Sequence, residues 1–352
     1  MVLDNVGSAG LTFQRYLLRD RLQEPAAWCR LSREGGHCHA GIRADSFGEP
    51  GSIRELPTPQ PVDGEVLVRV QAAGVNPFDA VVAQGYIKDL MEHRFPLVPG
   101  HDAAGVVEAV GDGVDGLAVG DAVFGAVGKP YLGEGTYAQA TTMSVGSVWP
   151  KPAWLNFTQA AAAPLSGATA LTLLEAVALG AGERVLVLGA SGGVGSFLVQ
   201  LAAQRGAQVV GVCSGPNLGY ARGLGAAEVI DYATEAVDEA LRARHPEGVD
   251  AIVDLVGDKA ALTALSEQLR PGGRVASAVD AAEVEELAER GIRATNVASW
   301  LTSEQLGQLM RLLEDGTLRL PEIHTVGFDD AAEALAKIAT KHTRGKLVLT
   351  IS

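Results

Sequence analysis

The sequence is poor in cysteine, with Cys29, Cys38 and Cys213 as the whole set among 352 residues. An odd and sparse set in a chain of this size argues against a disulfide framework and is typical of a reducing compartment. The first ten residues also lack the basic block and apolar core of a secretory signal peptide. We therefore expect a cytoplasmic protein.

Basic residues are also scarce, because 28 lysines and arginines stand against 42 acidic residues and give a net charge of −14. A chain this acidic repels nucleic acid and anionic membrane surfaces. No stretch is at once long, apolar and free of glycine, proline and charge, so no membrane span is indicated. We expect neither nucleic acid nor a membrane as a partner.

The length of 352 residues exceeds the size of most single cores, so at least two domains are expected. Residues 42–165 contain short β-branched runs separated by glycine, proline and aspartate, which predicts an irregular antiparallel β-barrel. In residues 166–302 strands alternate with helices, which predicts a doubly wound parallel sheet and an α/β fold. Residues 303–352 are predicted to return to the first domain and complete it. Residues 1–41 are treated as an N-terminal extension that need not be ordered.

One stretch in the second region has the pattern of a dinucleotide-binding unit. The apolar run Arg184–Leu188 predicts a strand, and Phe197–Arg205 has helical spacing. The glycines between them permit a tight turn, close approach of a pyrophosphate and close packing of helix on strand. The residues predicted to hold the pyrophosphate are Gly189, Ala190, Ser191, Gly192, Gly193, Val194 and Gly195.

Several motifs together resemble the medium-chain dehydrogenase/reductase superfamily. They are the segments 74–79, 95–105, 119–125, 135–138, 189–195, 224–232 and 345–349. Within that superfamily the chain is similar to the zinc-free quinone oxidoreductase branch, which is zeta-crystallin-like. The resemblance implies a GroES-like catalytic domain and a Rossmann domain with the cofactor between them.

The metal-ligating residues of the zinc alcohol dehydrogenases are missing. In those enzymes the position of Asn76 is a cysteine ligand, and here no cysteine occurs between Cys38 and Cys213. His101 and Asp102 alone do not provide the three protein ligands of a catalytic zinc site. The cluster His37-Cys38-His39 has tight spacing and no fourth partner nearby, so we interpret it as incidental. We predict no metal.

The second predicted strand of the Rossmann region ends at Cys213-Ser214, where an NAD enzyme has an acidic residue for the adenosine ribose. Ser214 and Asn217 can donate hydrogen bonds to a 2′-phosphate, and Tyr232 matches a family position near the adenosine phosphate. Alternatively, Ser214 and Asn217 shape a turn and cap the next helix. Arg222 lies further along. The pattern favours NADPH over NADH.

The resemblance also implies a set of contacts with the nicotinamide. It places Asn76, Thr169, Leu255, Val256, Gly257, Ser277 and Lys346 in that role. Each has an ordinary structural alternative: Thr169 as a helix residue, Gly257 as a turn residue, and Lys346 as a solvated residue at a strand edge.

Without zinc, hydrogen-bond donors must stabilise the oxyanion that forms as hydride arrives. Tyr86 matches a position where related enzymes carry a tyrosine near the substrate, and it either donates a proton or walls the pocket. Asn76 and Tyr86 are thus the candidate catalytic residues. Asp79 orients Asn76 or caps the following helix, and a proton from water is equally compatible.

The leading hypothesis is therefore an NADPH-dependent, zinc-independent reductase of quinones or other conjugated carbonyls. The alternatives are an enoyl-thioester reductase and a non-catalytic, NADPH-binding structural or regulatory protein. The edge of the Rossmann region, from Arg274–Ala278 to Trp300, commonly pairs subunits in the family, so the resemblance also implies a homodimer.

Overall fold

The computed structural model describes residues 38–298 and 300–351, which form two compact units. The first unit contains residues 38–161, 325–341 and 347–351, and the second contains Ala162–His324 and His342–Lys346. The predicted extension of residues 1–41 lies outside the described residues except for its last four, which belong to the first strand of the first unit. That strand pairs with its neighbour through half-buried residues, which gives no apolar alternation to detect.

The strands of the described chain are β1 Cys38–Arg43, β2 Ser52–Pro57, β3 Glu65–Val75, β4 Glu92–Val98, β5 Asp102–Val110, β6 Ala122–Ala126, β7 Tyr131–Glu134, β8 Ala140–Ser144, β9 Val148–Pro150, β10 Arg184–Leu188, β11 Gln208–Cys213, β12 Glu228–Asp231, β13 Val249–Asp254, β14 Leu269–Ser277, β15 Arg293–Asn296, β16 Ile323–Gly327 and β17 Lys346–Thr350. The helices are α1 Pro77–Ala83, α2 Phe157–Ala161, α3 Pro164–Val177, α4 Gly193–Gln204, α5 Leu218–Gly223, α6 Val237–Arg244, α7 Lys259–Ser266, α8 Val284–Glu289, α9 Ser303–Glu314 and α10 Ala331–Ala339.

The first unit is built on an antiparallel sheet in the order β16-β17-β3-β5-β6-β9, with β8 also paired to β3. The strand β17 runs antiparallel to β3, as the C-terminal pattern predicted. Two further pairs, β1 with β2 and β4 with β7, complete its strands in the described chain. The core contains the inward-facing residues of β3 together with α10 and β17.

The second unit contains a parallel sheet in the order β12-β11-β10-β13-β14-β15. Counted within this unit, the order is 3-2-1-4-5-6, which is that of the Rossmann fold. The central strand β10 is almost entirely apolar and buried, as expected when helices cover both faces of a parallel sheet. Ligands of such sheets bind at the carboxyl ends of the strands where the order reverses, here β10 and β13.

The division between the units differs from the predicted boundaries. The second unit begins at Ala162 rather than at residue 166, and it includes residues 303–324, which were predicted to return to the first domain. The physical reason is the packing of α9 on α3. Leu309 of α9 lies against Gly167 so closely that a Cβ at Gly167 would clash with it.

The helical stretch Phe157–Val177 is long and apolar enough to cross a membrane by length and composition, but 78% of its most apolar window is buried within the protein. It includes α2 and α3. Its burial is that of a core element in a folded domain, and such a helix is weak support for a membrane span.

Cysteine chemistry differs between the two described cysteines. Cys213 is free and buried at the end of β11. Cys38 is disulfide-bonded, which the sparse cysteine content did not predict.

Candidate functional site

The glycine turn follows β10 in the second unit, as predicted. Gly189 has a φ of +84°, a conformation that favours glycine, and its carbonyl accepts from the Gly192 N–H at 3.1 Å. A Cβ at Gly195 would clash with the Gly189 carbonyl, so this glycine allows α4 to pack against the turn. The Ala190 N–H is directed inward, where it bonds the Val212 carbonyl at 3.1 Å.

The turn leaves N–H groups available at the start of α4. Within the described chain, the N–H groups of Val194 and Gly195 make no backbone hydrogen bond, whereas the Gly193 N–H lies at the parallel bridge between Gly192 and Gly345 and the Ser196 N–H bonds the Gly192 carbonyl at 2.8 Å. Free N–H groups and the positive end of the helix dipole together bind phosphate oxygens. The turn therefore fits the pyrophosphate of a dinucleotide.

Lys346 lies beside this turn. It is 3% exposed, its N–H donates to the Glu322 carbonyl at 2.8 Å, and its Cδ lies 3.5 Å from the position of a Cβ on Gly193. The preceding Gly345 N–H donates to the carbonyl of Ser191 at 2.8 Å. The alternative of a solvated strand-edge lysine is therefore wrong, and Lys346 is a buried cation next to the phosphate-facing turn.

The predicted residue Thr169 lies on α3, where it is buried. Ser166, one turn earlier on the same helix face, has its Oγ 2.9 Å from the position of a Cβ on Gly193. The structure thus brings α3 and the glycine turn together, and it adds Ser166, which was not predicted.

The predicted adenosine-binding residues follow β11 and β12. Asn217 Nδ2 donates to Ser214 Oγ at 3.0 Å, so these two side chains form one polar pair. Tyr232 follows β12 and is about half exposed. Burial raises the pKa of the neighbouring Cys213 thiol to about 11, and the nearby Asp231 carboxylate adds to the rise while Arg222 opposes it. The thiol is therefore protonated near neutral pH.

Asp254, which was not predicted, fixes the loop after β13. Its carboxylate accepts from the N–H groups of Val256 at 2.9 Å and Gly257 at 3.2 Å, and from Ser277 Oγ at 2.8 Å. The Leu255 N–H donates to the carbonyl of the last residue of β10 at 3.3 Å. The sequence signal that could have identified Asp254 is an acidic residue ending an otherwise buried apolar strand.

The Ser277 hydroxyl is used within the protein. It donates to the Asp254 carboxylate and accepts from the N–H groups of Val279 at 3.2 Å and Ala281 at 3.1 Å. With three protein partners, this hydroxyl supports the loops at the ends of β13 and β14. Any contribution of Ser277 to cofactor binding is therefore through the shape of these loops.

A third unpredicted residue, Tyr220, lies behind the glycine turn. Its hydroxyl is 3.0 Å from Ser196 Oγ and accepts from the Glu322 N–H at 3.1 Å. The Arg344 guanidinium lies 5.7 Å from the centre of the Tyr220 ring. No motif marks this residue, because its partners are distant in sequence.

The candidate catalytic residues Asn76 and Tyr86 belong to the first unit, whereas the other predicted site residues belong to the second. Asn76 is 3% exposed, precedes α1, and donates from Nδ2 to Asp102 Oδ2 at 3.1 Å. The Asp79 carboxylate accepts from the Asn76 N–H at 2.8 Å and from the Tyr137 hydroxyl at 2.9 Å. Asp79 thus both orients Asn76 and caps the helix.

Tyr137 and Tyr86 of the first unit differ sharply in their exposure to solvent. Burial raises the pKa of Tyr137 well above its ordinary value, and the carboxylates of Asp79 and Asp102 add to the rise, so Tyr137 is a structural donor. Tyr86 is 68% exposed, and the preceding Gly85 packs directly on the ring of Phe47. Its hydroxyl is therefore accessible to a ligand.

The donor atoms around Asn76 are poorly suited to zinc. An amide stands where a thiolate is needed, Asp102 holds that amide, and the ring of His101 packs edge-to-face on Phe78 at 5.5 Å. In the described part of the chain no three His, Cys, Asp or Glu side chains form a metal-binding group. The zinc-free assignment stays a prediction.

Fold and turn together define a nucleotide-dependent dehydrogenase. Two domain families match the chain: the alcohol dehydrogenase GroES-like domain at residues 62–153, and the zinc-binding dehydrogenase domain at residues 224–349. The second description names zinc, yet its matched range contains no cysteine.

Known proteins match most of the chain. The chloroplastic NADPH-dependent alkenal/one oxidoreductase of Arabidopsis thaliana is 32% identical over 302 residues, which cover 83% of this chain and 73% of that protein. The chloroplast envelope quinone oxidoreductase homolog of the same plant is 34% identical over 205 residues, 56% of this chain and 61% of that protein.

Solved structures of other proteins have the same fold as this chain. The quinone oxidoreductase of Coxiella burnetii has a TM-score of 0.81 at 29% identity and covers 90% of this chain and 100% of its own. A mycobacterial protein in complex with NADPH has a TM-score of 0.78 at 28% identity, with 90% and 100% covered. The chain belongs to the medium-chain dehydrogenase/reductase superfamily, which confirms the predicted family and fold class. It is an NAD(P)H-dependent oxidoreductase.

Proposed function

We propose that the protein reduces quinones or other conjugated carbonyls with NADPH and without zinc. The observation that carries the proposal is the glycine turn, where the N–H groups of Val194 and Gly195 make no backbone hydrogen bond in the described chain and Lys346 lies buried beside Gly193. The relatives named as quinone and alkenal/one oxidoreductases support the choice of acceptor.

The residues of the second unit divide the task of holding the cofactor. The N–H groups at the start of α4 bind the pyrophosphate, and the cation of Lys346 offsets its charge. Asp254 holds Val256 and Gly257 through its hydrogen bonds, and Leu255 bonds the end of β10, so that this loop shapes the nicotinamide end. When bound, the nicotinamide supplies the hydride. The transfer requires the hydride-donating carbon and the accepting atom to lie roughly 3–3.5 Å apart.

NADPH is the proposed physiological cofactor. Ser214 and Asn217 offer hydrogen bonds at the end of β11, where no acidic residue stands in the sequence, and Arg222 contributes a positive charge there. The mycobacterial relative in complex with NADPH supports this choice. A 2′-phosphate carries close to two negative charges, so a single cation nearby favours it.

The acceptor side is proposed to lie at residues 86–95 of the first unit. Tyr86, Leu90 and Phe95 are exposed at 68%, 81% and 44%, and all three lie within these ten residues. Exposed apolar side chains in one segment suit a flat conjugated ring or enone. The Tyr86 hydroxyl or water then donates to the oxygen that gains negative charge.

Steady-state kinetics test the proposal. The purified protein is assayed with NADPH and NADH against benzoquinones, naphthoquinones, alkenals and crotonyl thioesters. We expect turnover of quinones or enones with NADPH, ahead of the thioesters. Failure to oxidise NADPH with every acceptor contradicts the proposal, and preference for thioesters favours an enoyl-thioester reductase. Elemental analysis is expected to find less than one zinc per chain.

We also propose a cytoplasmic homodimer. The strand β15 is the edge of the parallel sheet, and Trp300 nearby is 63% exposed, so both are available to a second copy. Light scattering after size exclusion is expected to give twice the chain mass of 36.5 kDa. A monomer contradicts the dimer, and a fluorescent fusion that concentrates in a membrane or organelle contradicts the location.

A further inference from the structure

The carboxylate of Asp231 lies at the end of β11, although it belongs to the next strand. In the parallel pairing of β11 and β12, Asp231 is the register partner of Cys213. Its Oδ1 accepts from the Ala233 N–H at 3.0 Å, and its Oδ2 lies 2.8 Å from the position that a Cβ on Gly215 would have. The second oxygen therefore occupies the space of a side chain at residue 215.

The end of the second strand has a defined role in Rossmann folds. An acidic side chain at the end of the second strand accepts hydrogen bonds from the adenosine ribose of NAD. In this chain the residues that follow β11 are Ser214 and Gly215, neither of which is acidic. Because Gly215 has no side chain, the carboxylate of the neighbouring strand reaches the loop directly after β11, close to the position of such an acidic residue.

We propose that Asp231 is a specificity-determining residue that supplies this missing carboxylate, so that the site also binds NADH and discriminates weakly between a 2′-phosphate and a 2′-hydroxyl. The inference rests on the proposed dinucleotide function of this unit. Asp231 accepts from the ribose hydroxyl of NADH and repels the 2′-phosphate of NADPH.

Arg222 supplies the opposing charge. It is exposed on α5, and both Arg222 and Asp231 act on the Cys213 thiol, one lowering and the other raising its pKa. A cation and an anion at the same strand end give a site in which each cofactor finds one favourable charge. The balance between the two, together with the Ser214–Asn217 pair, sets the preference.

Calorimetry with adenosine fragments tests the inference without turnover. The full-length protein and the variants Asp231→Asn, Asp231→Ser and Arg222→Gln are titrated with adenosine 2′,5′-bisphosphate and with 5′-AMP. Asparagine keeps an oxygen for the Ala233 N–H and removes the charge, and serine is the second variant if asparagine impairs folding. Glu286→Gln is the control, because this exposed residue on α8 packs near β15, at the opposite edge of the sheet.

The quantity compared is the ratio of the Kd for 5′-AMP to the Kd for the bisphosphate. We expect this ratio to be about fivefold to tenfold larger in Asp231→Asn than in the wild type. Arg222→Gln is expected to change the ratio in the opposite direction, and Glu286→Gln to leave it unchanged. The kcat/KM ratio for NADPH over NADH should follow the same order. A ratio in Asp231→Asn and Asp231→Ser equal to that of the wild type overturns the inference. Loss of all fragment binding, in the wild type as well, overturns the proposed dinucleotide function instead.

Discussion

The hydroxyl of Tyr220 lies 3.0 Å from Ser196 Oγ, and this contact closes a chain of hydrogen bonds that ends on Gly192. The Glu322 N–H donates to Tyr220, and Ser196 Oγ donates to the Gly192 carbonyl at 2.7 Å, so Tyr220 donates to Ser196. In a trans peptide the carbonyl and the next N–H point in opposite directions. Holding the Gly192 carbonyl toward α4 therefore fixes the orientation of the peptide group between Gly192 and Gly193, where the glycine turn enters α4.

Removing the Tyr220 hydroxyl should weaken binding of the pyrophosphate without affecting the hydride step. We expect Tyr220→Phe to raise the Kd for NADPH and for ADP about threefold to tenfold, the equivalent of one net hydrogen bond, with kcat at saturating cofactor unchanged. Calorimetry and initial rates measure the two quantities. Tyr131→Phe, which removes a hydroxyl bonded to Glu134 in the first unit, is the control. An equal loss in both variants would argue against a specific role for Tyr220.

The pair Asp254 and Ser277 holds two loops with one buried carboxylate. Ser277→Ala leaves the N–H groups of Val279 and Ala281 and one carboxylate oxygen without that partner. Because unsatisfied buried polar groups are costly, we expect a loss of about 2–3 kcal/mol in the free energy of unfolding. Urea unfolding followed by circular dichroism measures it.

A double-mutant cycle separates the contributions of the pair. Asp254→Asn places an amide N–H₂ group against hydrogen-bond donors, so it should lower the free energy of unfolding at least as much as Ser277→Ala does. The double variant should lose less than the sum of the two single losses. Asp315→Asn, an exposed residue that accepts from the Thr317 N–H, is the control and should change stability little. Additive effects of Asp254→Asn and Ser277→Ala would contradict the coupling.

The local sequence pattern was sufficient to predict a strand where its residues are uniformly buried and the signals lie close together in the sequence. The strand Arg184–Leu188 has the predicted bounds, since it is a short, mostly apolar run ended by a turn. By contrast, Glu92–Val98 is a strand whose first residues are charged and mostly exposed, and its pairing with β7 is not visible in its composition.

The same division applies to the candidate site. The glycine turn could be predicted because all of its signals lie within the continuous stretch of residues 184–205. The supporting residues could not, because Tyr220 bonds Glu322 across 102 positions and Asp254 bonds Ser277 across 23. The burial of Lys346 likewise depends on its contact with Gly193, far earlier in the chain. Sequence reasoning therefore predicted candidate groups for contact with a cofactor, whereas the residues that support them became visible only in the structure.

Lys129 forms a buried charge cluster in the first unit. Its ammonium pairs with Glu134, lies 3.7 Å from Glu65 and donates to Thr142 Oγ1 at 2.6 Å. Burial acts to lower the pKa of Lys129, but hydrogen bonds with Glu134 and Tyr131 give a net rise. Burial likewise acts to raise the pKa of Glu134, and the bonds from Lys129 and Tyr131 give a net decrease.

The stability that this cluster provides should depend on pH. A carboxyl group whose pKa is lowered in the folded state stabilises the fold when the pH is above the ordinary pKa of that group. This stabilisation is lost as the pH falls through the folded-state pKa. The raised pKa of Lys129 affects stability only in strong alkali. We expect Lys129→Met to cost about 2 kcal/mol or more at pH 7, and less below about pH 4. Urea midpoints at both pH values measure this. Lys337→Met, on an exposed face of α10, is the control, and a loss independent of pH would contradict the electrostatic origin.

Buried Asn76 bonds two carboxylates, because its backbone N–H donates to Asp79 and its side-chain amide donates to Asp102. Replacing this amide with a third carboxylate tests the arrangement. Asn76→Asp removes the donor to Asp102 and adds a negative charge next to Asp79, so the pKa of the new carboxyl should be raised by burial and by its neighbours. A raised pKa means that the destabilisation grows as pH rises above about 4. We expect the thermal midpoint to fall by several degrees more at pH 7.5 than at pH 5. Asn76→Ser keeps a capping oxygen without charge and should show no such pH dependence. An equal fall at both pH values would show that the amide geometry, and not the charge, is what this position requires.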